Sequence, residues 1–190
     1  MISLVFDTET TGKYHKSRSL RDPSQPALVE IAIELYSHDL KKVVTRFSSL
    51  VKPLCPISDE AKGVHGISQE VAEKFGQTNR AIVAIFGKLL ESADRIVCHN
   101  VNFDLTVMQI AYIRDEKKSS DLLKTDTLCT MEATTDLLKL PGKLEGKYKW
   151  PSLDEAYRAL VDPKGFPGAH GAAYDTKAAR MIMMKLEEKK

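Results

Sequence analysis

An α/β fold, a mixed β-sheet covered by helices, is what this sequence predicts, and three observations predict it. Strand-like segments come first, about three in succession, with a turn between the second and third. Helix-like segments then alternate with short apolar stretches, the pattern of helices laid on a sheet. The chain has 190 residues, 43% hydrophobic and 28% charged, which suits one core and one domain.

The elements follow in order. Residues 2–6 form an apolar run that reads as a buried strand. A polar loop over 13–26 holds Lys13, His15, Lys16, Arg18 and Arg21. Residues 28–36 alternate, with Val29, Ile31, Ile33 and Leu35 on one face; Ser37-His38-Asp39 turns the chain, and 43–51 is the partner strand. Pro53 and Pro56 end this meander. Helices are expected at 58–62, 68–75 and 79–91, then a short apolar strand at 95–99. Residues 100–117 read as a helix with Phe103, Val107, Ile110 and Ala111 on one face and lysines at its C-terminal end, where the helix dipole favours cations. A short extended piece precedes a helix at 128–138, and 141–150 is a Gly- and Lys-rich connection. Ser152-Leu153-Asp154-Glu155 is a capping box opening another helix. A loop over 162–171 leads to the last helix, 172–187, whose Met181, Ile182 and Met184 are core packing.

A formal net charge of +2 is too small to argue for a nucleic-acid partner by itself. Cys55, Cys98 and Cys129 lack metal-ligand spacing and cannot all pair, so reduced thiols are expected. No apolar run reaches the length of a membrane span, and the N-terminus lacks a signal-peptide pattern. A cytoplasmic protein with no membrane partner is the expectation.

Chemistry concentrates at four acidic positions. Residues i and i+2 of a strand share a face, so Asp7 and Glu9 emerge side by side at the end of the first strand. Like charges that close repel, and a divalent cation turns the repulsion into coordination. Asp104 falls in the first turn of the helix after the 95–99 strand. Asp175 falls in the first turns of the last helix, with His170 just upstream on a glycine-flanked loop. Each alone is ordinary, since acidic residues favour helix starts for the dipole's sake.

Together they form a pattern. Phe6-Asp7-Thr8-Glu9-Thr10-Thr11-Gly12, then His99-Asn100-x-x-Phe103-Asp104, then His170-x-x-x-x-Asp175 resemble, in order and spacing, the three motifs of the DEDD-type 3′→5′ exonucleases, in the branch with a histidine base. Val64-His65-Gly66-Ile67 and Ser152-Leu153-Asp154-Glu155-Ala156 resemble the proofreading ε subunit of bacterial DNA polymerase III. The resemblance covers almost the whole chain. It implies one exonuclease domain over 1–190 with an RNase H-like fold: a five-stranded mixed sheet, its first three strands antiparallel, flanked by helices. It also implies a two-metal site in which Asp7 bridges both ions, Glu9 and Asp175 complete one shell, and Asp104 holds the second ion. His170 would take the proton from the attacking water. Oxygen-only ligation favours Mg²⁺ or Mn²⁺.

For substrate binding, the resemblance points to Thr10 and His65 at the terminal nucleotide and to Asn100 as an orienting residue. Two stretches are candidates for phosphate contact: the basic loop over 13–21, longer than the family's usual connection, and Lys139, Lys143, Lys147 and Lys149 interleaved with Tyr148 and Trp150. The implied activity is release of nucleoside 5′-monophosphates from DNA 3′ ends, in proofreading or repair. The alternatives are an exoribonuclease of the same superfamily, resembling ribonuclease T or oligoribonuclease, and a non-catalytic nucleic-acid-binding module. The ε subunit carries a C-terminal polymerase-binding extension to which nothing here corresponds. A free-standing nuclease acting on single-stranded or 3′-terminal DNA is therefore expected, with RNA as the second substrate class and a polymerase contact through another surface left open.

Overall fold

The computed structural model describes residues 1–117, 120–144, 146–168 and 170–188. Five strands, β1 (Ile2–Thr10), β2 (Leu28–Ser37), β3 (Lys42–Leu50), β4 (Arg95–Cys98) and β5 (Asp126–Cys129), form one sheet in the order β3-β2-β1-β4-β5. The β1–β2 and β2–β3 pairs are antiparallel; β1–β4 and β4–β5 are parallel. This is the mixed five-stranded sheet with an antiparallel opening meander that was expected. Among the described residues the helices are α1 (Asp59–His65), α2 (Gln69–Phe75), α3 (Asn79–Leu90), α4 (Val101–Arg114), α5 (Ser120–Lys124), α6 (Thr130–Leu138), α7 (Leu153–Leu160) and α8 (Ala172–Glu187). None of them is long and apolar enough to cross a membrane.

The two faces of β1 seed two layers. Leu4 and Phe6 point into the main core with Ile31, Ile33, Ile82, Phe86 and Met108, against α3 and α4. Burying side chains of this size stabilises by about 1.5–3 kcal/mol each. Phe6 also meets the Phe86 ring edge-on, with centroids 5.0 Å apart. Val5 points the other way, to Val97, Tyr36 and the α8 residues Ala179 and Met183. Helix α7 packs beside α8, joined by Ala156, Tyr157, Ala178 and Ile182. Its capping box is present in full: Ser152 Oγ accepts from the Glu155 amide, and Glu155 Oε2 accepts from the Ser152 amide.

Three expectations are corrected. The first strand does not stop at Phe6 but runs to Thr10, because β2 pairs with it throughout, with a bulge between Glu9 and Thr10. The 128–138 helix begins at Thr130, since Leu128 and Cys129 are held in β5 by Val97 and Cys98 of β4. The 100–117 helix ends at Arg114, and α5 was not foreseen. The alternation left the second face of β2 unassigned, and the structure covers it: Ala32, Glu34 and Tyr36 are buried and Glu30 half-buried.

Helix α8 covers that second face, running parallel to β2 and hydrogen-bonded to it at three successive turns. The Ala172 amide donates to Glu30 Oε2 (2.9 Å), Thr176 Oγ1 to the Ala32 carbonyl (3.2 Å), and Arg180 Nε to Glu34 Oε2 (2.6 Å). Steps of four along the helix meet steps of two along the strand, one helical turn against one strand repeat. Glu34 also pairs with Arg46 of edge strand β3, so its buried charge is shared by two guanidinium groups.

Candidate active site

Asp7 and Glu9 follow Val5 on the α8 face of β1, and Asp175 descends on them from the first turn of α8. One carboxylate oxygen from each lies within 4.8 Å of the others. Asp175 Oδ2 accepts a hydrogen bond from the His170 amide (3.3 Å), while Oδ1 is buried with no partner. Burial and mutual repulsion favour the protonated forms. Asp7 is pushed well above its ordinary range, first by burial and then by Asp104, Asp175, Glu9 and Glu30. Burial, then Asp175, Glu30 and Asp104, pushes Glu9 from 4.5 to about 8. Burial takes Asp175 from 3.8 to about 6. An all-oxygen donor set with a partnerless buried oxygen and strained charges fits a hard divalent cation.

Asp104 comes from α4 on the opposite layer and is 2% exposed. Its Oδ1 accepts from both the amide (3.0 Å) and hydroxyl (2.8 Å) of Thr8. Burial outweighs those bonds and raises Asp104 to about 7. Asp104 is not part of the three-carboxylate group; it acts on Asp7 through its field.

His170 lies exposed on the approach to α8, in a left-handed backbone conformation (φ 67°) that costs energy in any non-glycine residue. Its described hydrogen bond to the site is the backbone one to Asp175. Gly168 (φ 76°) cannot carry a side chain, because a Cβ there would sit 2.5 Å from the Tyr174 ring.

The substrate candidates separate. Thr10 is buried: its hydroxyl donates to the Gly12 carbonyl (2.7 Å), and its carbonyl faces His65 Nε2 (3.3 Å). His65 Nδ1 accepts from the Ile67 amide (3.0 Å), which leaves the ring proton on Nε2. Burial holds this ring below its usual pKa, so it is neutral. A cleft of about 190 Å³ opens beside these groups, lined by Glu9, Thr10, Val64, His65 and Phe103 among others. Asn100 stands apart, exposed at the N-cap of α4 in a left-handed conformation (φ 72°) that asparagine tolerates. Its neighbour His99 spans β4, α6 and the start of α7, with Nδ1 against Thr130 Oγ1 and Nε2 against the Pro151 carbonyl, both 3.0 Å.

The basic loop is built around a side chain the sequence reading passed over. Gln25 is wholly buried: its amide nitrogen faces the His15, Arg18 and Ser19 carbonyls, and its oxygen accepts from the His15 amide (2.9 Å). Arg114 of α4 anchors the loop's end at the Gln25 and Pro26 carbonyls. Two of the five basic residues are already paired, Lys13 with Glu60 (2.8 Å) and Arg18 with Asp22 (3.8 Å), leaving His15, Lys16 and Arg21 to face solvent. In the second basic stretch Lys139 lies over the Tyr148 ring and Lys149 pairs with Glu155, while Trp150 is exposed. Glu30 was also missed. Its signal was one of two acidic residues, with Glu34, set into a largely apolar strand.

The sequence model of one family, described as Exonuclease (RNase_T), matches residues 4–183. The chain belongs to the exonuclease family. Members of this family generally use divalent metals. The chain is 26% identical over 179 residues to the DNA polymerase III subunit epsilon of Pasteurella multocida (strain Pm70), an alignment covering 92% of this chain and 63% of that protein. It is 29% identical over 190 residues to the DNA polymerase III PolC-type of Caldanaerobacter subterraneus subsp. tengcongensis, covering 98% of this chain and 12% of that protein. The chain thus spans less than two thirds of the length of either relative. Among solved structures, E. coli Exonuclease I in complex with a dT13 oligonucleotide matches with TM-score 0.77 at 19% identity, over 98% of this chain and 41% of that one. The Exonuclease I of Methylocaldum szegediense matches with TM-score 0.72 at 17% identity, over 100% of this chain and 40% of that one. The family's RNase H-like exonuclease fold is therefore the fold of this chain.

Proposed function

We propose that residues 1–190 act as one divalent-metal-dependent 3′→5′ exonuclease domain, removing nucleoside 5′-monophosphates from DNA ends in proofreading or repair. The observation that carries the proposal is the convergence of Asp7, Glu9 and Asp175, with one oxygen of Asp175 buried and partnerless. Asp7, Glu9 and Asp175 would hold one Mg²⁺ or Mn²⁺ ion, and Asp7 with Asp104 the second. Such a pair supplies a nucleophile at neutral pH and neutralises charge on the scissile phosphate and the leaving oxygen.

The chain's own residues do the rest. The cleft beside Thr10, His65 and Phe103 takes the terminal nucleoside, and neutral His65 offers it an uncharged wall. Thr8 holds Asp104 in place, and Asn100 sets the start of α4. His170, at the rim on an exposed loop, takes the proton from the attacking water. DNA is favoured over RNA by the relatives: one named as a polymerase III subunit, and an Exonuclease I structure containing a dT13 oligonucleotide. Free thiols at Cys55, Cys98 and Cys129 suit a reducing, cytoplasmic setting.

The deciding experiment incubates 5′-labelled single-stranded DNA, paired and mismatched duplex, and matching RNA with Mg²⁺ or Mn²⁺. A metal-dependent ladder shortening from the 3′ end is expected, fastest on DNA. Faster shortening of RNA would move the chain to the exoribonucleases, and no cleavage of any substrate would leave a binding module.

Two further results are expected. His170→Ala lowers kcat by about 10²–10⁴ and leaves metal binding near the parent level in a Mn²⁺ titration; a normal rate across neutral pH would remove His170 from the mechanism. Replacing Lys16 and Arg21 together with alanine should flatten the log–log salt dependence of single-strand binding by about 1.4, since each phosphate contact contributes about 0.7. An unchanged slope would make the loop merely solvated.

A further inference from the structure

Helix α8 begins without a cap of its own. Its N-cap is Gly171, which has no side chain to offer, yet this first turn must hold Asp175 in place. The first amides of a helix have no partner within it, and an anion placed there also meets the positive end of the dipole. The partner comes from the far side of the sequence: Glu30 Oε2 accepts from the Ala172 amide at 2.9 Å.

Glu30 also stands directly opposite Glu9 in the β1–β2 ladder, so the two side chains share the face on which Asp7 and Asp175 meet. It lies outside the three-carboxylate group. Its charge there is unfavourable to its neighbours, raising Asp7, Glu9 and Asp175 alike. A carboxylate in so repulsive a place needs a compensating role, and the α8 amide supplies one.

We propose that Glu30 is a positioning residue: by accepting from the Ala172 amide it fixes the first turn of α8, and with it the distance of Asp175 from Asp7 and Glu9. Its effect on metal rests on the reading of that trio as a divalent-cation site. Its effect on the helix does not.

The test compares Glu30→Gln, which keeps the acceptor and loses the charge, with Glu30→Ala, which loses both. Amide hydrogen exchange at Ala172–Asp175 is read without metal, and Mn²⁺ affinity by titration. Glu30→Ala is expected to speed exchange in this turn at least ~10-fold, with the last turn of α8 unchanged, and to weaken Mn²⁺ binding about 10-fold; Glu30→Gln should restore most of both. If Glu30→Ala does not fold, Glu30→Asp, one methylene too short, replaces it and is expected to behave as the alanine variant would. Glutamine as impaired as alanine would assign the effect to charge and overturn the positioning role, as would parental exchange in Glu30→Ala. A parent protein that takes up no Mn²⁺ would instead overturn the metal reading, and the exchange rates would still decide the anchoring.

Discussion

Asp7→Asn is expected to reduce cleavage below about 10⁻³ of the parent rate while raising the melting temperature of the metal-free protein. The two effects have one cause. Asp7 is the carboxylate on which the fields of Asp104, Asp175, Glu9 and Glu30 all converge, and it is half-buried as well. In the proposed mechanism it is shared by both ions, so no neighbour substitutes for it. Without metal the same charge is a liability, and asparagine removes it at constant shape. Relief of about 1–3 kcal/mol corresponds to a gain of roughly 3–10 °C in Tm for a chain of this size. Calorimetry in EDTA at pH 8, beside the ladder assay, reads both. Residual cleavage near the parent rate would remove Asp7 from the centre of the site, and a lower Tm would show that its charge is not frustrated.

The second large effect is an inverted pH dependence in the metal-free protein. A carboxylate whose pKa is higher folded than unfolded makes the native state bind more protons, so stability falls as pH rises through that interval. Glu9 at about 8 and Asp104 at about 7 titrate between pH 6.5 and 8.5. Below 6.5 the opposite sign enters: burial holds His38, His65 and His99 low in the fold, and protonation of the unfolded chain then erodes stability. Over 6.5–8.5 the carboxylates dominate, and the loss is about 3 kcal/mol, a fall of roughly 10 °C in Tm. Saturating Mg²⁺ should flatten the curve, because cations replace protons as the partners of the trio. A Tm in EDTA that stays level or climbs over this range would contradict this charge balance.

Both results turn on residues whose visibility in the sequence differed. Asp7 and Glu9 were legible because a strand's period of two is short and local. Asp104 and Asp175 were legible as helix-start acids, but not their partners: nothing local tells that Asp104 is tethered to Thr8, 96 residues away. The covering of the second face of β2 was hidden for the same reason. Glu30 and Glu34 alternate with Val29, Ile31 and Ile33, and only the docking of α8 supplies the amide and guanidinium that let those carboxylates be covered. Gln25 was invisible for a related reason, since its partners are backbone groups of its own loop, brought together by folding. The β5–α6 boundary moved because pairing with β4 overrode local helical preference at Leu128 and Cys129.

The seam between α8 and β2 behaves as a vernier. Four residues of helix advance about 6.0 Å, whereas two residues of strand advance about 6.8 Å. Each rung of the seam therefore drifts by about 0.8 Å, and the donors lengthen in step: a main-chain amide at Ala172, a hydroxyl at Thr176, a full guanidinium at Arg180. By the next rung the slippage would approach the length of a hydrogen bond, and among the described residues no hydrogen bond joins α8 to Tyr36, over whose ring the Arg180 guanidinium lies instead. Met184 packs against the apolar cluster that includes Tyr36, a contact that tolerates any offset. The scales coincide only at the end where Glu30 meets Ala172, which is the end that carries Asp175.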